Sequence, residues 1–132
     1  MDGLKFLNNN YSHTIGDKAL WALADRLRKI TSRKDILFRP AGGDEFTILL
    51  SIENDTANPE EIFERIKRQV NEDLFIEIRE KDGSDTKFPI TASMGYSVLK
   101  RGDIKTAEEL LGEADQMERE DKRAKKTQEK GD

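Results

Sequence analysis

Arg39-Pro40-Ala41-Gly42-Gly43-Asp44-Glu45-Phe46, continuing into Thr47-Ile48-Leu49-Leu50, lies between two apolar runs. Asp35-Ile36-Leu37-Phe38 before it reads as a strand, and Glu45 to Ser51 after it reads as another. A Gly-Gly pair at the junction predicts a tight hairpin whose tip needs positive φ. Ordinary hairpin tips place Asn or Asp ahead of glycine; here the glycines come first and two carboxylates follow. The backbone is therefore bare where a ligand would approach, with charge immediately beside it. That pattern suits a metal–polyphosphate site, in which carboxylate oxygens take Mg²⁺ and nearby amides face phosphate oxygens. The same residues also fit a plain acidic hairpin, so the rest of the chain has to decide.

Working outward, 132 residues are enough for one domain with one core. Charged residues make up 38% of the chain against 35% hydrophobic, which describes a well-solvated domain with a polar tail. A net charge of −4 gives no overall field that would draw in nucleic acid, so an anionic substrate needs local Lys or Arg and a metal. There is no cysteine, hence no disulfide and no thiolate metal site, which is compatible with the cytosol. No apolar run approaches the ~18 residues of a membrane span, no signal peptide is visible, and there is no internal repeat.

The chain opens on Met1-Asp2-Gly3-Leu4-Lys5-Phe6-Leu7, which looks like the exit from a strand, and Asn8-Asn9-Asn10 reads as a turn. Thr14 to Ile30 predicts a helix, with Leu20, Leu23, Ala24, Leu27 and Ile30 on one face. Asp17, read as lying in its first turn, faces the positive end of the helix dipole. Asn58-Pro59-Glu60-Glu61 starts a second helix that buries Ile62, Phe63, Ile66 and Val70. Leu74 to Arg79 alternates as a strand with Leu74, Ile76 and Ile78 on one side. Lys81 to Asp85 is a turn, and Phe88 to Leu99 reads as a returning strand in which Gly95 marks a bulge or a close contact. Thr106-Ala107-Glu108-Glu109 is a capping box for a last helix with Leu110, Leu111, Ala114 and Met117 inward. Beyond Glu118 nearly every residue is polar or charged, which predicts a solvated helix end that frays.

This order predicts an α+β sandwich: an antiparallel-rich central sheet with helices packed on it. It matches a ferredoxin-like plan that lacks one central strand before the first helix, the sequence beginning just too late to contain it. The domain is expected over residues 1–126, followed by a polar tail over 127–132.

Several stretches in register resemble one family. Gly42-Gly43-Asp44-Glu45-Phe46 is the signature of the GGDEF domain, the catalytic domain of diguanylate cyclases. Asp2-Gly3-Leu4-Lys5-Phe6-Leu7-Asn8-Asn9 is similar to the family's Asp-x-Phe-Lys-x-Ile-Asn-Asp, and Ser12-His13-Thr14-Ile15-Gly16-Asp17 to its Gly-His-x-x-Gly-Asp. Thr91-Ala92-Ser93-Met94-Gly95 resembles its Thr-x-Ser-x-Gly strand, and Ala114-Asp115 the Ala-Asp of its last helix.

The resemblance implies a nucleotidyl-cyclase-type fold and Mg²⁺- or Mn²⁺-dependent condensation of two GTP molecules into cyclic di-GMP across a homodimer. Asp44 and Glu45 would bind metal, with Glu45 also helping to deprotonate the attacking 3′-hydroxyl. Gly42 and Gly43 would let the backbone pass close to the phosphates, and Lys5, Lys122 and Lys126 would contact them. Asn8 and Asp17 would read guanine, whose N1–H and N2–H donors suit a carboxylate. The resemblance further implies a cytoplasmic domain governed by an upstream sensory or regulatory domain, in a full-length protein that can be membrane-anchored through regions upstream. Nucleic acid is not an expected partner.

Departures from the family pattern carry their own expectations. The family's first metal aspartate lies two residues before Asp2, so these 132 residues by themselves are expected to have little or no activity. Asp2 does not replace it, because a shift along a strand turns the side chain to the other face. Arg39-Pro40-Ala41 has one residue more than the common Arg-x-Gly-Gly form; Asn9 and Ser12 stand for Asp and Gly, and Lys126 stands for Arg. The product-inhibition motif Arg-x-x-Asp would end at Asp35, but Ser32 occupies its arginine position. The alternative function is a degenerate GGDEF domain that binds GTP or cyclic di-GMP and regulates an attached domain. His13, the sole histidine, reads as structural; Trp21 reads as covering a sheet edge or the missing strand; Lys122 to Lys126 also fits a solvated charge run.

Overall fold

Ser12 starts the helix that organises the first part of the molecule: its hydroxyl accepts the Ile15 N–H at 3.2 Å and so satisfies an orphan donor of the first turn. The computed structural model describes residues 1–40, 43–54 and 56–131. Elements run α1 (Leu4–Asn10), α2 (His13–Ile30), β1 (Ile36–Phe38), β2 (Thr47–Leu49), α3 (Pro59–Asn71), β3 (Phe75–Arg79), β4 (Asp85–Pro89) and α4 (Ala107–Gly131). They form two units, Met1–Ala92 and a second that starts at Ser93.

In the first unit α2 packs against α1, α3 and β3. Its inward stripe is Gly16, Ala19, Leu20, Leu23 and Leu27, all buried. Facing side chains are Leu7 of α1, Phe63, Ile66 and Val70 of α3, and Ile76 and Ile78 of β3. Each fully buried aliphatic side chain contributes about 1.5–3 kcal/mol. Arg26 adds a directed link: its Nη1 donates to the carbonyls of Gln69 and Glu72 at 2.7 Å each, capping the C-terminal end of α3. At the other end of α3, Asn58 accepts the Glu60 N–H at 3.0 Å with Pro59 in the first turn, as its sequence predicts.

Strands pair antiparallel as expected, in two separate two-stranded sheets among the described residues. Ile36 pairs with Leu49 and Phe38 with Thr47 in one; Phe75 pairs with Pro89 and Arg79 with Asp85 in the other. The α+β class therefore holds, with three differences from the sequence reading. Residues 4–10 are helical rather than a strand exit and a turn. Seven residues are too few to show a periodic pattern, and α1 is held by burying Leu7 against α2. The returning strand occupies Asp85–Pro89, not 88–99. Beyond Pro89 the pairing gains one more bond, Ile90 N–H to the Leu74 carbonyl in the same register, and later amides turn to side chains: Ala92 N–H to Asn71 Oδ1 and Met94 N–H to Asp121 Oδ2. A strand exists only where a ladder partner does, and alternation by itself does not supply one. Trp21 is 78% exposed, so of its two readings the sheet edge finds no support among the described residues.

In the second unit, Thr106 accepts the Glu109 N–H at 3.1 Å, the expected cap of α4. Leu110, Ala114 and Met117 are half-buried while Leu111 is exposed. Ser97 Oγ donates to the Leu110 carbonyl at 2.7 Å. Gly95 is the close contact its position suggested. A Cβ there would collide with the Ala114 carbonyl and lie 2.6 Å from Glu118 N and 2.9 Å from Met117 Cβ. Backbone atoms cannot swing aside, so Gly95→Ala should destabilise by about 1–3 kcal/mol, read as a lower thermal midpoint by circular dichroism. No helix of the described residues is long and apolar enough to cross a membrane.

Candidate active site

The α1–α2 contact brings the first group of polar residues together. Asn8 leans over Gly16: a Cβ on Gly16 would sit on Asn8 Oδ1, and only 3.0 Å from Asn8 Cγ and 3.1 Å from Leu4 Cδ1. Asp17 follows Gly16 directly. It is the fifth residue of α2, which begins at His13, and so lies past the first turn where sequence analysis put it. The dipole field falls off within that turn, so helix stabilisation is a weak explanation for this carboxylate. Asp17 is exposed and Asn8 half-buried. Among the described residues neither side chain has a hydrogen-bond partner. Lys5 stands three residues before Asn8 on the same side of α1, is exposed, and likewise makes no ion pair with a described residue.

The hairpin tip is the second group. Asp44 is half-buried and Glu45 exposed, and neither carboxylate pairs with a described residue. The Met1 amino nitrogen donates to the Asp44 carbonyl at 2.7 Å, so the start of the chain runs against this turn. Gly42, assigned to phosphate approach, lies outside the described residues. A Cβ on Gly43 would stand 3.7 Å from Glu45 N, an ordinary contact, so packing among the described residues makes no demand for glycine at this position.

Carboxylate oxygens without an intrachain partner are hard donors that suit Mg²⁺ or Mn²⁺. Among the described residues no three acidic or histidine side chains cluster as a complete cage. Two carboxylates still fit a magnesium ion that completes its shell from waters and substrate phosphates. Asp2 is otherwise engaged: its N–H donates to the Thr91 carbonyl at 2.9 Å and its Oδ2 accepts the Thr91 hydroxyl at 3.1 Å. Lys122 and Lys126 lie on α4 in the second unit, exposed and without an ion pair to a described residue.

The family described as diguanylate cyclase, GGDEF domain, matches residues 1–128. The chain belongs to the GGDEF family. Its relatives include the bifunctional diguanylate cyclase/cyclic di-GMP phosphodiesterase MucR of Pseudomonas aeruginosa, 31% identical over 87% of this chain and 15% of MucR. The biofilm architecture maintenance protein MbaA of Vibrio cholerae is 31% identical over 97% of this chain and 16% of MbaA. The diguanylate cyclase VdcA of the same organism is 29% identical over 87% of this chain and 32% of VdcA. The chain thus spans at most about a third of the length of these relatives.

Around this GGDEF domain's site, two positions acquire structural roles that spacing did not reveal. Ser12, where the family pattern has glycine, is the cap of α2; a serine three residues before the capped N–H was the available clue. Ser32 and Asp35 bind each other: Asp35 Oδ2 accepts the Ser32 N–H at 2.8 Å and hydroxyl at 3.1 Å, while Oδ1 accepts the Ser51 N–H at 3.3 Å. The carboxylate closes the α2–β1 turn onto the end of the hairpin. The Ser32 N–H chiefly, with the Ser32 hydroxyl and Ser51 N–H, holds the Asp35 carboxyl below its usual value against the opposing effect of burial.

A lowered folded value means the charged form contributes stability above the unfolded aspartate range near ~3.9, and that this is lost as pH falls through the folded value. Asp35→Asn should therefore lower the denaturant midpoint at pH 6, and the gap from the parent protein should shrink by pH 3. An unchanged gap at both pH values would remove charge from the account of this turn.

Proposed function

We propose that this domain binds GTP and, as two copies facing each other, condenses two GTP molecules into cyclic di-GMP. The observation that supports it most is the seat of Asn8 on Gly16, which puts the amide against α2 one residue before Asp17, with both polar side chains unpartnered among the described residues. Guanine presents N1–H and N2–H donors together, which a carboxylate accepts, while the amide donates or accepts alongside. Gly43 supports the phosphate end: its missing side chain answers no need of the fold and leaves bare backbone beside Asp44 and Glu45.

In each half-reaction the 3′-oxygen of one GTP bonds to the α-phosphorus of the other, the bond to the β-phosphate bridge breaks, and pyrophosphate leaves. Glu45 takes the hydroxyl proton. Asp44 and Glu45 hold Mg²⁺ or Mn²⁺, which when bound neutralises charge on the phosphates. Lys5, Lys122 and Lys126 hold phosphate oxygens as point charges, without the bidentate geometry of arginine. Most of the catalytic effect is positioning, as in other phosphoryl transfers. In the full-length protein, an upstream sensory or regulatory domain controls how two copies meet.

GTP binding by calorimetry on this chain and cyclic di-GMP formation by chromatography on the full-length protein, each measured with Mg²⁺ present, separate the readings. Asp17→Ala should weaken GTP binding about 10- to 100-fold. Glu45→Gln should retain GTP binding and lower product formation at least ~100-fold. Specific activity should rise with protein concentration, since one copy holds only one substrate. GTP binding without product would move the domain to a regulatory nucleotide-binding role, and no binding would overturn the site.

A further inference from the structure

We infer that Gly16 is a positioning residue for nucleobase selection, acting through Asn8; this rests on the guanine-reading role proposed above for Asn8 and Asp17. Glycine inside a helix is ordinarily unfavourable, about 1 kcal/mol worse than alanine. Here it is the fourth residue of α2, buried and helical, with no positive φ to require it. What occupies the missing side chain's place is the Asn8 carboxamide: a Cβ on Gly16 would overlap Oδ1 and lie 3.0 Å from Cγ. Leu4 Cδ1, at 3.1 Å, is the end of a flexible side chain and can give way. Asn8 Oδ1 is also a side-chain end, and no described residue holds its amide in place by a hydrogen bond, so the amide is what a methyl group there would displace.

The empty space at Gly16 is thus what seats the amide one residue from the Asp17 carboxylate. A methyl group there would push the amide off α2 and separate the pair, while Asp17 itself stayed in place. Loss should fall on recognition of the base and leave the phosphate end untouched.

Calorimetry with GTP and with ATP, each with Mg²⁺, on the whole chain and on Gly16→Ala, Asn8→Ala and the double variant provides the test. Gly16→Ala should weaken GTP binding about tenfold, the scale of a lost hydrogen bond, and leave the weaker ATP binding unchanged, so that selectivity falls. Asn8→Ala should cost about the same. The double variant should be no worse than Asn8→Ala alone, because the overlap has been removed. If Gly16→Ala fails to fold, the double variant must regain the parent's thermal midpoint or the inference fails. Additive losses in the double variant, equal losses for GTP and ATP, or unchanged GTP binding in Gly16→Ala would overturn the positioning role while leaving the GTP site intact. Unchanged GTP binding in Asn8→Ala would overturn the guanine-reading role of Asn8, and the inference with it.

Discussion

Burial along one side of α2 constrains most of what surrounds it. Gly16, Ala19, Leu20, Leu23 and Leu27 face inward in a single stripe, and α1, α3 and β3 each settle against part of it. The stripe changes character along its length. At the C-terminal end leucines meet Phe63, Ile66 and Val70, and Arg26 ties the end of α3 to the same helix. At the N-terminal end the inward residue is glycine, and a second helix comes close enough for a polar side chain to fill the gap. Apolar packing and the polar candidate site are therefore two ends of the same helix surface.

Absence of side chains matters as much at the hairpin tip. Among the described residues Gly43 meets no steric demand, and it places backbone without a side chain just before two carboxylates. A polyphosphate ligand needs that arrangement: amides within reach, hard oxygens for a cation, and little bulk between them. The acidic overall charge gives no help in attracting such a ligand, so local lysines and a cation have to neutralise it. Lys5 lies on the same side of α1 as Asn8.

The turn after α2 illustrates how a family position can be turned to another use. With serine at 32, Asp35 finds its hydrogen-bond donors three residues away and at Ser51, and its carboxylate holds the turn closed. Tyr11 makes a long-range bond, donating its hydroxyl to Glu80 Oε1, 69 residues along the chain, at 3.0 Å, which raises its pKa.

Local rules made much of this legible in the sequence. The apolar periods of α2 and α3, the Asn58-Pro59 start, the Thr106 cap and the alternation through Ile76 and Ile78 each rest on neighbours within a few residues. The hairpin with Asp44 and Glu45 at its tip was legible for the same reason, as was the family from motifs in register. Tertiary structure decided the rest. A seven-residue helix at 4–10 exists because Leu7 finds a partner on α2, and the returning strand stops after Pro89 as the amides of Ala92 and Met94 find side-chain partners. The seat of Asn8 on Gly16 belongs to the same class. Periodicity and capping are properties of consecutive residues, whereas short helices, ladders and close approaches depend on which distant segment arrives to complete them.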